Sequence, residues 1–310
     1  MTSPLIALLP FFALVLAGYS TARRGLLNGA GIKGLNTFVF YFALPALLFD
    51  KTQAAPIDKL VAERAYLLAY ALATLCVFAL GWVGAKLVFR AGPGRAAILG
   101  LGGAYSNIGF MGIPVLTAVV GEWAAVPLAL MVLVDVALVV PVAIVIVDLT
   151  RPRDQRRDLK AALAGSVLKN PIVLATLAGL GVAALGWQLP GPVTIFTELL
   201  GRSAGPAAMF ALGAVLAGRA LSEGLGEALY ASAFKLAVHP LAIWWAMTAF
   251  AIGADWRLAA TLGGALPMAT AIFVIAQQYD VMPQRASTAV LISTVLSMLT
   301  LTALTAWLAN

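Results

Sequence analysis

Charge is what this chain has least of. Only 11% of its 310 residues are Asp, Glu, Lys or Arg, against about 25% in soluble globular domains. At 62% hydrophobic residues it has too few polar groups to cover a water-facing surface. A soluble enzyme or binding module is thereby excluded, and the composition is that of a polytopic membrane protein. Cysteine occurs once, at Cys76, which rules out an internal disulfide and a thiolate metal cluster. Histidine also occurs once, at His239, so no His-rich metal site can form. Walker, HExxH and rhomboid-type Gly-x-Ser-Gly strings are missing. Tyr279-Asp280 matches half of an intramembrane aspartyl protease signature, but the partner Gly-x-Gly-Asp is not there. No cofactor and no direct use of ATP are expected. The +7 net charge would suggest nucleic acid in a soluble protein. Here the basic residues fall in short loops, where they set topology instead.

What the chain does have is long apolar runs. Segments of about 18 residues or more mark spanning helices, and ten are expected, over 4–21, 35–53, 66–89, 95–120, 124–147, 166–187, 206–218, 229–252, 257–279 and 285–308. The seventh is short unless part of the preceding GPVTIFTELLGRSAGP is helical. The first has no basic residues ahead of it and Arg23-Arg24 behind it, so it reads as a retained helix rather than a signal peptide. Fifteen of the twenty Lys and Arg residues are assigned to the loops after odd-numbered helices, Arg23, Arg95, the run from Arg151 to Lys160, Lys235 and Arg285 among them. The positive-inside rule then makes those loops cytoplasmic and both termini extracytoplasmic.

The stretch Gly102 to Val115, GGAYSNIGFMGIPV, cannot run as one smooth helix. Gly and Pro inside a helix cost about 1 and 3 kcal/mol relative to Ala, and in lipid each freed backbone group needs a partner. Such a segment belongs where it lines a cavity, and interrupted helices point to the binding sites of secondary transporters. Leu101 to Ala104 reads LGGA, as does Leu262 to Ala265, and Phe42-Ala43-Leu44 is echoed by Phe210-Ala211-Leu212. These echoes divide the chain into a five-helix repeat over 1–150, a cytoplasmic loop over 151–165 and a second repeat over 166–310. Five is odd, so the second repeat must be inverted. Pro267 follows the second LGGA and predicts a break in helix nine too. Two breaks meeting would offer half-helix N-termini to an anion.

The strings SNIGFMGIPV (Ser106 to Val115), LKNP (Leu168 to Pro171), FALGAVLAG (Phe210 to Gly218) and FALPALLF (Phe42 to Phe49) resemble the auxin efflux carrier family in its bacterial branch, over the whole chain. Plant auxin exporters and bacterial malonate and malate permeases belong to it. The resemblance implies an all-α fold of ten helices in two inverted repeats, with helices four and nine crossing at their breaks. It also implies a scaffold of helices one, two, six and seven, often dimeric, and a transport domain of helices three to five and eight to ten that moves as an elevator. Plant members carry Asn-Pro pairs at both crossings. Here Asn107 is followed by proline only at Pro114, and Pro267 has no Asn nearby, which argues against an auxin-like substrate.

The expected function is therefore secondary transport of a small organic anion. Asn107 either binds substrate or caps the second half-helix. Ser106, Tyr105, Gly109 and Pro114 accompany it on the first break, and Pro267, Met268 and Gln277 lie on the second, with Gln277 placed either in the cavity or at the cytoplasmic interface. Asp135, an acid deep in an apolar helix, suits proton coupling, and the repeat offset nominates Ser293 and Ser297 as its partners. His239 beside Pro240 either shuttles protons or satisfies a freed carbonyl. Glu198 and Arg202 read as a structural i,i+4 pair. A sodium-coupled carrier, a uniporter and a ligand sensor that does not transport are the alternatives.

Overall fold

The computed structural model describes residues 4–55, 57–150, 169–218 and 224–308. Among these the chain is helical throughout, with no strands. The cytoplasmic loop expected over 151–165 lies outside the described residues.

We number the helices α1 (Pro4–Arg23), α2 (Gly29–Gln53), α3 (Tyr66–Phe89), α4 (Pro93–Ala104), α5 (Ile108–Val120), α6 (Glu122–Leu149), α7 (Pro171–Ala184), α8 (Gly191–Ala217), α9 (225–249), α10 (Ala254–Gly264), α11 (Ala271–Gln278) and α12 (Pro283–Leu308). Among the described residues, five stretches are long and apolar enough to cross a membrane, namely α2, α3, α6, α8 and Pro283–Leu304 of α12. The span expected over 95–120 is two helices, α4 and α5, and that over 257–279 is also two, α10 and α11. The seventh expected span is longer than 206–218, because the segment ahead of it is helical from Gly191. Glu198 and Arg202 interrupt its hydropathy, yet they pair with each other one turn apart.

Among the described residues, four five-residue π-turns widen these helices, and each begins six residues before a proline. Val39 precedes Pro45, Ile108 precedes Pro114, Asp135 precedes Pro141 and Phe234 precedes Pro240. Proline has no N–H to give the carbonyl four residues back, and its ring clashes with that carbonyl. The preceding turn responds by taking in an extra residue. The N–H groups of Leu44, Val140 and His239 accordingly reach five residues back, to the carbonyls of Val39, Asp135 and Phe234.

Contacts within the chain fall into two units. The first comprises Met1–Arg64, Ile108–Val132 and Leu168–Gly218. In it α1 packs on the second half of α8, and α2 packs on α7 and on the first half of α8. Gly18 and Gly213 let the backbones of α1 and α8 touch, since a Cβ at either position would overlap a carbonyl of the facing helix. Close approach through small residues is how helices associate where water supplies no driving force.

The second unit comprises Ala65–Asn107, Leu133–Val167 and Arg219–Asn310. Here α3 packs against α4 and α9, α9 against α10 and α12, and α11 against α12. Its core includes Val77, Ile98, Leu101, Val139, Met268 and Val290. At one end Glu227, in the first turn of α9 and almost fully buried, pairs with Arg95 of α4 and, at 3.0 Å, with Arg285 of α12.

Candidate functional site

The second unit holds both helix breaks, and they are paired. After Ala104 the backbone of Tyr105 is extended, with φ −91° and ψ 114°. The Asn107 N–H donates to the Pro267 carbonyl at 2.9 Å, and the Ala269 N–H donates to the Tyr105 carbonyl at 3.0 Å. Ser106 and Met268 thus face each other in an isolated antiparallel bridge. The Met268 N–H donates to Ser293 Oγ at 3.2 Å. Each unwound segment therefore satisfies backbone groups of the other, which is what non-helical chain at membrane depth requires.

This pairing changes what the breaks can offer a ligand. The amides of Asn107, Met268 and Ala269 are already engaged by the pairing and are not available to an anion. Two side-chain groups are left over instead. Ser106 Oγ and Asn107 Nδ2 are buried and have no hydrogen-bond partner. An unsatisfied buried donor costs about 1–3 kcal/mol, and such groups recur where a ligand completes the site. A primary amide and a hydroxyl are both donors that a carboxylate oxygen can accept from.

A buried polar chain lies in the same unit. Asp135 is fully buried at the start of its π-turn and accepts a 2.9 Å hydrogen bond from the Tyr70 hydroxyl on Oδ1, while Oδ2 has no partner. His239, also fully buried, lies with Nε2 3.2 Å from Thr74 Oγ1 and Nδ1 2.8 Å from the Lys235 ammonium. Lys235 Nζ donates in addition to the Gly264 carbonyl, where α10 ends. No cluster of His, Cys, Asp and Glu able to hold a metal is found among the described residues.

The family described as Membrane transport protein matches residues 4–305. The chain belongs to this family. Among its relatives is the "Putative malonate transporter" of Rhizobium meliloti, 36% identical over 298 residues, covering 96% of this chain and 93% of the relative. "Uncharacterized transporter YfdV" of Escherichia coli is 25% identical over 276 residues, or 88% of each chain. The "Probable auxin efflux carrier component 5c" of Oryza sativa is 24% identical over 342 aligned positions, covering 93% of this chain and 92% of the relative. The resemblance to auxin efflux carriers seen in the sequence is therefore real, and the membrane transport family makes the chain a multi-pass transporter rather than an enzyme.

Of the residues expected at the site of this membrane transport protein, Tyr105, Ser106, Asn107, Pro267 and Met268 come together at the paired breaks. Gly109 and Pro114 belong to the first unit, where Pro114 lines a cavity of about 540 Å³ with Phe11, Leu47, Lys51, Glu122 and Arg202. Gln277 is exposed in the last turn of α11, about 10 Å along the axis from Thr270 by helix rise. It is not part of the paired segment. The partners expected for Asp135 need correction. Ser293 serves Met268 and the Val290 carbonyl, Ser297 bonds the Thr294 carbonyl, and Tyr70 holds Asp135. A repeat offset equates positions in sequence and does not say which helices face each other.

Lys235 was missed altogether, having been counted as a loop charge. It is fully buried inside α9, one turn before His239. The signal was available in the sequence: a Lys and a His spaced i,i+4, just ahead of a proline, within an apolar run.

Proposed function

We propose that this protein is a secondary transporter of a small carboxylate anion, which it binds at the paired breaks. The observation that carries this reading is the pair of buried, unpartnered donors on Ser106 and Asn107, beside backbone segments already bonded to each other. The malonate-transporter name of the 36% identical relative supports the substrate class. Malonate and malate are the compounds to test first.

In this reading the chain is ten spanning helices in two inverted repeats. The two LGGA strings support it, one closing α4 and the other closing α10, and so do the antiparallel bonds between the breaks. Helices three to five and eight to ten form the transport domain of an elevator and helices one, two, six and seven its scaffold; the unit that contains the breaks holds most of the former, while Ile108–Val132 groups with the other unit. The separation of contacts into two units supports a division of this kind. The scaffold dimerises, both termini lie outside the inner membrane, and protons couple to transport through Asp135 and His239.

Uptake of radiolabelled malonate into proteoliposomes, with and without an imposed pH gradient, tests the reading. Flux that collapses in Asn107→Ala is expected. Binding without flux would make the protein a sensor, and flux indifferent to the pH gradient would make it a uniporter.

A further inference from the structure

Lys235 has no place in the account so far, and its surroundings are unusual. A lysine side chain is almost never fully buried unless it is paired, and this one has no exposed surface. Its position is set by Pro240, which forces the π-turn Phe234–Val238 that carries it. One of its partners is the Gly264 carbonyl. That carbonyl belongs to the last turn of α10, where the helix stops short of Pro267 and its final carbonyls lack intrahelical donors. The negative end of the helix dipole is concentrated there.

The end of α10 lies close against α9 at this point: a Cβ at Gly264 would sit 3.4 Å from Pro240 Cα and would displace the tip of the Ile243 side chain. The second partner is His239 Nδ1 at 2.8 Å. An ammonium has donors only, so Nδ1 must accept and the ring proton sits on Nε2, facing Thr74 Oγ1.

In carriers built on broken helices, the C-terminal ends of half-helices and unwound carbonyls coordinate the coupling sodium ion. We infer that Lys235 is a tethered cation occupying that role: its ammonium sits on the half-helix end that would otherwise attract sodium, and it makes the carrier independent of sodium. The inference rests on the transport reading above and adds to it which ion is not used. A sodium ion arriving from solution would find the Gly264 carbonyl taken and a positive charge in its way. Removing the ammonium leaves the Gly264 carbonyl oxygen and His239 Nδ1 without their cation, which is a site a small cation can enter.

The test compares wild type, Lys235→Ala and the longer neutral Lys235→Met in sodium chloride and in choline chloride, by melting temperature of the purified protein and by malonate uptake in liposomes. Wild type is expected to melt at the same temperature and transport at the same rate in both salts. Lys235→Ala is expected to lose at least tenfold of its flux in choline and to gain melting temperature, and part of that flux, when sodium is supplied. Lys235→Met, whose side chain fills the space, is expected to be inactive in both. Sodium stimulation or sodium stabilisation of the wild type overturns the inference, even if neither variant folds. So does a Lys235→Ala protein that transports at the wild-type rate in choline, or one that sodium does not stabilise. Wild-type protein that moves no carboxylate in either salt counts against the transport reading instead, and the melting temperatures still decide on Lys235.

Discussion

The Asn107 backbone N–H is bonded to the Pro267 carbonyl at 2.9 Å, while the Nδ2 of the same residue is buried with no partner. The main chain of this asparagine holds two breaks together, and its side chain is left free to do something else. Structure and binding are thus separable at one position, and variants can address them independently.

Close helix approach in the second unit depends on Gly103, where a Cβ would lie 2.8 Å from Phe234 Cβ. Overpacking of this kind costs about 1–3 kcal/mol, so Gly103→Ala should melt several degrees below wild type. Gly181 of α7 has nothing within 4 Å of a Cβ. Gly181→Ala should be neutral or stabilising by up to about 1 kcal/mol. Thermal unfolding in detergent compares the two, and equal melting temperatures would refute the packing argument.

Glu227 joins three helices by pairing with Arg95 and Arg285. Hydrogen bonds to charged groups contribute about 1.5–3 kcal/mol, so Glu227→Gln should lower the melting temperature markedly. Because the three residues form one network, Glu227→Gln with Arg95→Gln should cost less than the two single variants added together. Additive losses in a double-mutant cycle would contradict the clasp.

Asp135 and Tyr70 can be tested by isosteric changes. Tyr70→Phe deprives Oδ1 of its donor and leaves both carboxyl oxygens unpartnered, which should destabilise the protein by about 1–3 kcal/mol. Asp135→Asn retains an acceptor for Tyr70 but cannot exchange a proton. If protons couple through Asp135, the variant should keep its melting temperature and lose the response of malonate flux to an imposed pH gradient. A gradient response equal to wild type would remove Asp135 from the coupling.

Much of this architecture is legible in the sequence, for reasons that particular residues make plain. The span expected over 66–89 coincides with Tyr66–Phe89, because no proline falls in it and no charge interrupts it until Lys86 near its end. The breaks at Tyr105–Asn107 and before Pro267 follow from Gly and Pro placed where a helix cannot absorb them. Asp135 stood out because one acid in an apolar helix has few reasons to be there. Two things escaped notice. The regular six-residue lead of each π-turn over its proline could have been read directly, and it would have grouped Asp135 with Lys235. The bonding between the breaks could not, because pairing of two unwound segments depends on tertiary approach that no local pattern encodes. Pairing takes up the amides of Asn107, Met268 and Ala269, and the proposed binding by Ser106 and Asn107 rests on their side chains.

The central claim is that the free donors of Ser106 and Asn107 hold a carboxylate. Equilibrium binding of malonate and malate to purified wild-type and Asn107→Ala protein, measured alongside their melting temperatures without ligand, tests it most directly. Because Nδ2 makes no bond in the unliganded protein, the two should melt at the same temperature, while the variant loses roughly tenfold to a hundredfold in affinity, as expected for one hydrogen bond to a charged group. Equal affinity of the two proteins, or no carboxylate binding by the wild type, would contradict the account.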